Sequence, residues 1–142
     1  MFETLEVGKQ IKSSDFNSLQ QKLRDRLLQA QIELAGRDYP VIIVVAGLDG
    51  AGKGSLVQQL NEWMDPRFIS TLAFSLPTEE ERERPPMWRY WRSLPPKGRV
   101  GNFAGAWYSE PIRERILKAI SLKEMDAQAD QINRFEAMLV NE

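Results

Sequence analysis

The chain is expected to fold as an α/β domain with a mostly parallel sheet, and three observations lead there. Residues 41–48, VIIVVAGL, form a continuous β-branched run of the kind buried on both faces of a parallel sheet. That run breaks directly into the glycine-rich stretch GLDGAGKGS, residues 47–55, and then into a helical pattern. Downstream, strand-like and helix-like segments keep alternating, the pattern of helices laid over a sheet in three layers.

The elements can be taken in order. Residues 1–13 read as an amino-terminal arm, and residues 14–142 as one domain. From Ser14, a candidate cap, Phe16, Leu19, Leu23, Leu27, Ala30 and Leu34 recur at helical spacing until Gly36 stops the run. Tyr39-Pro40 launches the first strand, which we expect to be central, flanked by the other two. Gly52 opens a second helix carrying Leu56, Leu60 and Trp63, ending before Pro66. RFISTLAF (67–74) suits a second strand, followed by the polar loop SLPTEEERERPP and a short aromatic helix around MWRYWRSL. Pro95, Pro96 and Gly98 turn the chain into RVGNFAG, a weaker third strand. Two helices finish it, near 110–120 and 123–140, the second with Met125, Ala129, Ile132, Phe135 and Leu139 in a stripe. Three strands fall short of the roughly five usual in such a sheet, so the domain reads as truncated at its carboxyl end.

Composition narrows the chemistry. At 142 residues and 42% hydrophobic content there is material for one packed core. A formal net charge of -1 argues against a wholesale nucleic-acid or membrane binder. There is no cysteine, which fits a cytoplasmic setting, and no histidine, which removes the commonest general base and zinc ligand. The chemistry left must use carboxylates, lysine, arginine, backbone amides or a bound cation.

Gly47, four residues, then Gly52-Lys53 satisfies the GxxxxGK pattern of a phosphate-binding loop. Its glycines, Gly47, Gly50, Gly52 and Gly54, let the backbone wrap an anion without a Cβ in the way. Successive N–H groups and the positive end of the next helix aim at one point, and Lys53 reaches the terminal oxygens. The residue after Lys53 is Gly54 where a hydroxyl is common; Ser55 comes one position later. Asp49, an acid inside an anion cradle, either stabilises the turn or handles a metal or a substrate proton. Between Arg82 and Arg99, six basic residues face one acid, a local charge of +5. Such a run is either a solvated face or a track for a polyanion, with Arg82, Arg84, Arg89 and Arg92 as its members.

GLDGAGKGS, together with PTEEERERPPMWRYWRSLPPKGRVGNFAGAWYSEPI (77–112) and QINRFEAMLVNE (131–142), resembles the polyphosphate kinase 2 family. The likeness covers roughly 15–142 and is closest to the amino-terminal half of two-domain polyphosphate:AMP phosphotransferases. It implies a P-loop kinase-like fold and transfer of phosphate between inorganic polyphosphate and AMP or ADP, with Mg²⁺. It also implies a second homologous domain or a homo-oligomer, with no nucleic acid and no membrane as partners. Onto this chain it carries the loop as Gly47, Asp49, Gly52, Lys53 and Gly54, and a substrate-channel arginine as Arg89. Asp49 and Lys53 become the candidate catalytic pair, and Asp49 the candidate metal ligand. Where the family has Asp-Arg-Ser, this chain has Ala104-Gly105-Ala106, and no acid occurs from Leu94 to Ser109. Three functions follow as alternatives: a phosphotransferase domain weak or inactive alone, a non-catalytic polyphosphate-binding or packing half, and an ordinary nucleotide kinase.

The loop yields the first testable expectation. Charge-assisted contacts contribute roughly 1.5–3 kcal/mol each, so Lys53→Ala should weaken polyphosphate binding about tenfold or more. Calorimetric titration of both forms at fixed salt measures this; equal affinities would place the site elsewhere.

Overall fold

The computed structural model describes residues 10–47 and 49–141; most of the expected arm, Leu48 of the glycine-rich loop and Glu142 lie outside them. The order is α1 (Ser13–Leu34), β1 (Val41–Val45), α2 (Lys53–Trp63), β2 (Ile69–Ala73), α3 (Glu79–Arg82), α4 (Trp88–Trp91), β3 (Val100–Ala104), α5 (Ser109–Ile116) and α6 (Leu122–Asn141). Each outer strand pairs in parallel with β3, in the spatial order β1-β3-β2.

The expectation of a central β1 is therefore corrected: β3 is the middle strand, and β1 is an edge of the described sheet. The burial agrees, because β3 is buried from Val100 to Phe103 while β1 is fully buried only at Val45. A β-branched run reports that the faces of a strand are covered; it is silent about neighbours in the plane. RVGNFAG looked weaker because it carries Gly101 and Asn102. Gly101 is small for a reason: a Cβ there would lie 3.0 Å from Phe103 and 3.1 Å from Pro95.

Alternate residues on the strands feed two cores. Ile43, Ile69 and Val100 meet Leu27, Leu34 and Met64 on the α1/α2 side. On the other side Ile42, Val44, Phe74 and Phe103 meet Tyr90, Trp107, Ile132 and Phe135. The second core is aromatic, with edge-to-face contacts such as Phe74–Tyr90 at 4.9 Å and Trp107–Phe135 at 5.2 Å between ring centroids. Trp107 Nε1 donates to Glu136 Oε1 at 2.9 Å, and the Tyr108 hydroxyl donates to the same oxygen, tying the end of β3 to α6. Of the aromatic helix, Tyr90 is core and Trp91 is largely exposed.

Asn102 is fully buried in the middle strand. Its Nδ2 donates to Thr71 Oγ1 across the β2–β3 pair at 3.4 Å, while its Oδ1 has no partner among the described residues. A buried acceptor left this way costs about 1–3 kcal/mol.

Three local readings change. Helix α1 starts at Ser13, and Ser14 bonds to Asp15 at 3.2 Å instead of capping. Its apolar stripe is only half used: Leu34 is buried, but Phe16, Leu19 and Leu23 are exposed. The polar loop contains a helical turn, α3, closed by a capping box in which Thr78 and Glu81 bond reciprocally. A similar Ser121/Glu124 arrangement starts α6, and the hydrogen bonds from the Ser121 N–H and hydroxyl lower the pKa of Glu124.

A polar clamp adds to the Leu27 and Leu34 packing that holds α1. Gln31, nearly fully buried, donates from Nε2 to the Asp65 carbonyl at 3.0 Å and accepts the Asp65 N–H at 2.8 Å. Arg67 grips the Asp65 carboxylate on the other side and lowers its pKa to about 2. Gln31→Ala strands one donor and one acceptor, so we expect a loss of about 1–3 kcal/mol. Chemical denaturation with an unchanged slope is the measurement; a wild-type midpoint would show that water replaces the side chain freely.

Candidate functional site

Because the strands are parallel, their carboxyl ends share one edge of the sheet, with Val45, Ala104 and Ala73 in register. Ligands of open α/β sheets sit in the crevice outside that edge. The predicted loop residues and the Ala104-Gly105-Ala106 substitution both lie there.

Beyond β1 the chain turns through Gly47, Gly50 and Gly52, all at positive φ. Gly52, at φ 84°, is the left-handed residue from which α2 starts. Any side chain there would be strained, which is why this position demands glycine. Gly54 and Ser55 lie inside the first turn of α2. Lys53 folds back over its own loop: Nζ donates to the Gly47 carbonyl at 2.9 Å and lies 3.4 Å from Asp49 Oδ1. The two candidate catalytic residues are thus brought together, and the puzzle of an acid inside the loop has a local answer. Asp49 is fully exposed and partly neutralised by the lysine.

The end of β3 is stitched to both neighbours. Gly105 N–H donates to the Val45 carbonyl at 3.0 Å, and Phe74 N–H donates to the Ala104 carbonyl at 2.8 Å. Gly105 itself is left-handed, at φ 68°, and a Cβ on it would lie 2.8 Å from the Phe74 carbonyl oxygen. Ala106 is fully buried. This segment does more than lack functional side chains: its backbone leaves no room for one at Gly105. A glycine between two alanines directly after a strand is a readable turn signal, but the sequence does not show the carbonyl it must avoid.

The four candidate track arginines divide. Arg84 and Arg92 lie with their guanidinium carbons 5.2 and 4.9 Å from the Trp88 ring centroid, held by cation–π attraction. Arg84 also pairs with Glu80 at 3.5 Å, and Arg82 is exposed. Arg89 is turned inward. Its Nη2 donates to the Ser75 carbonyl at 3.0 Å and sits 3.6 Å from Glu81, and its guanidinium lies over Phe74 and Tyr90. Arg89 and Arg92 therefore face different partners. Burial raises the pKa of the Tyr90 phenol, with Arg89 opposing the shift, so Tyr90 stays a neutral core residue.

Between these parts, outside the ends of β2 and β3, lies a cavity of about 170 Å³ bordered by Phe74, Ser75, Arg89, Gly105, Ser109 and Arg113. Arg89 Nε and Ser109 Oγ are buried there without partners among the described residues. Among those residues, no cluster of three or more His, Cys, Asp or Glu could hold a metal ion.

Comparison with known proteins gives one answer throughout. The family description "Polyphosphate kinase 2" matches residues 10–142. A polyphosphate:AMP phosphotransferase from Pseudomonas aeruginosa is 48% identical over the whole chain, and one from Pseudomonas syringae is 41% identical. A GDP-polyphosphate phosphotransferase from Mycolicibacterium smegmatis is 31% identical over 91% of the chain, which covers 46% of that protein. The chain spans only 29% of the length of the two Pseudomonas relatives. In structure, a polyphosphate kinase 2 from Arthrobacter aurescens matches 95% of the chain, and the chain covers 50% of that structure, with a TM-score of 0.80 and 27% identity.

The conformation at Gly105 has a measurable consequence. Gly105→Ala must hold a side chain at positive φ against a carbonyl oxygen, which costs on the order of 1–3 kcal/mol. Denaturant unfolding of the two forms checks this, and equal stabilities would show that the β2–β3 edge yields without cost.

Proposed function

The chain belongs to the polyphosphate kinase 2 family, and on that premise we propose that it is a polyphosphate-binding part of a nucleotide phosphotransferase, weak or silent in transfer by itself. Its relatives are named polyphosphate:AMP, ADP-polyphosphate and GDP-polyphosphate phosphotransferases, which supports polyphosphate as one ligand and AMP or ADP as the other. In this proposal residues 47–55 cradle phosphoryl oxygens, with Lys53 leaving Asp49 for the ligand. The stacked Arg84 and Arg92, with exposed Arg82, draw the polyanion in, and Arg89 holds the segment that carries them.

The observation that carries the weak-transfer half of the proposal is the edge at Gly105. Phosphoryl transfer needs charge stabilisation at the passing group, supplied by a metal clamp and cationic side chains. Ala104 and Ala106 offer neither, and Gly105 is closed to any side chain by the Phe74 carbonyl. The residues do not fit Mg²⁺ either: the loop supplies a single carboxylate, Asp49, already shared with Lys53. We therefore assign no step to a metal held by this chain, and Mg²⁺ would arrive with the polyphosphate as its counter-ion. The relatives' greater length supports a partner, either a second homologous domain or another copy, as the place where transfer occurs. Absence of cysteine supports a cytoplasmic setting, and no described helix is long and apolar enough to cross a membrane.

The test mixes the 142-residue chain with AMP or ADP, long-chain polyphosphate and Mg²⁺ and follows the higher nucleotide. A deficit of about 4 kcal/mol in transition-state stabilisation is nearly a thousandfold in rate. We expect binding with turnover at least that far below the usual range of about 1–10³ per second. Turnover inside that range would overturn the proposal.

A further inference from the structure

The helix that carries Lys53 has no fully buried side chain of its own. A helix laid on a sheet is normally placed by its apolar face, and here that face, Val57, Leu60 and Trp63, is only half-buried, which leaves a part for polar contacts in setting where α2 begins. Past its end, the Gln31 clamp holds the backbone of Asp65. Along its length, a side-chain relay among the described residues reaches the sheet. Thr71 Oγ1 on β2 donates to Asn61 Oδ1 on α2 at 2.5 Å, and Asn102 Nδ2 on β3 donates to Thr71 Oγ1 at 3.4 Å. The polarity is consistent, because the hydroxyl accepts from one amide and donates to the other. Asn102 is fully buried and its Oδ1 has no partner among the described residues, so the relay carries a stability cost.

We propose that the Asn61–Thr71–Asn102 relay fixes the axial position of α2, and that Asn102 and Thr71 are positioning residues for the glycine-rich loop at its start. Hydrogen bonds are directional where apolar contacts are not, so a relay tolerates less sliding than a greasy face. Asn61 lies eight residues, about 12 Å along the helix, from Lys53. A shift at the relay therefore moves the Lys53 ammonium and the Gly52 turn together. This placement rests on the loop being the anion site, as proposed above.

Thr71 is exposed, so its variants should keep the fold. Thr71→Val keeps the shape and removes the hydroxyl; Thr71→Ser keeps the hydroxyl and removes the methyl. Asn102→Leu removes the buried amide from the other end. Each variant of the full chain is titrated with long-chain polyphosphate, its thermal midpoint is recorded, and amide hydrogen exchange is followed across 53–60. We expect Thr71→Val and Asn102→Leu to bind about three- to tenfold more weakly. The Asn102→Leu midpoint should be unchanged or higher, whereas Thr71→Val strands the buried Asn102 amide and should lower its own, and exchange should be faster within α2 in both. Thr71→Ser should behave as wild type, and the Thr71→Val/Asn102→Leu double variant should be no worse than either single, since both break one relay. Unchanged binding and exchange in Thr71→Val, equal damage from Thr71→Ser, or losses that follow the midpoint would overturn the proposal. If the wild-type chain binds no polyphosphate, the loop assignment fails by itself. Exchange then decides: faster opening confined to α2 in Thr71→Val supports the relay, and unchanged exchange overturns it.

Discussion

The parallel pairing of both outer strands to β3 is the constraint from which the rest of the domain takes its position. β3 supplies Phe103 to the aromatic core on one face, and Val100 and Asn102 to the other. Its end is bonded to the last carbonyl of β1 and to the residue after β2. The glycine-rich loop, the Arg89 segment and the Gly105 turn therefore meet at one edge with little freedom between them. A candidate site here is less a set of side chains on loops than a seam where three strand ends are held level.

Polar groups do much of the placing. Apolar burial is strong but directionless, and it decides which faces meet, not how far one element slides along another. In this chain the sliding is stopped by two amides, a guanidinium and a carboxylate: Gln31 on Asp65, Asn102 on Thr71, Arg89 on Ser75, and Glu136 beneath Trp107 and Tyr108. Several are buried or half-buried, where an unmade bond is costly and a made one is therefore specific.

This division explains what could be read in advance. Element types were legible, because VIIVV, the glycine-rich turn and the Ile132/Phe135 stripe are local patterns. The order of strands was not, since a covered strand looks the same at the centre as at an edge. The two capping boxes are legible in Thr78-x-x-Glu81 and Ser121-x-x-Glu124, each a local signature of a helix start. At the candidate site, the partnership of Lys53 with Asp49 follows from their spacing across the helix start. The inward turn of Arg89 does not, because it depends on a carbonyl fourteen residues upstream and on a carboxylate in α3. Likewise the closure of Gly105 depends on Phe74, thirty-one residues away in the chain.

A middle strand that comes last among the three also orders the folding of the domain. β2 must wait for a partner thirty-one residues ahead, and β1 for one fifty-nine ahead, with no hairpin available to start either pair. Near-doubling of a loop adds only about 0.6 kcal/mol of closure entropy, so the bias is modest, but its direction is fixed. Closure entropy therefore favours pairing of β2 with β3 before β1 docks. On that order the turn that follows β1 is set only once the sheet beneath it is paired.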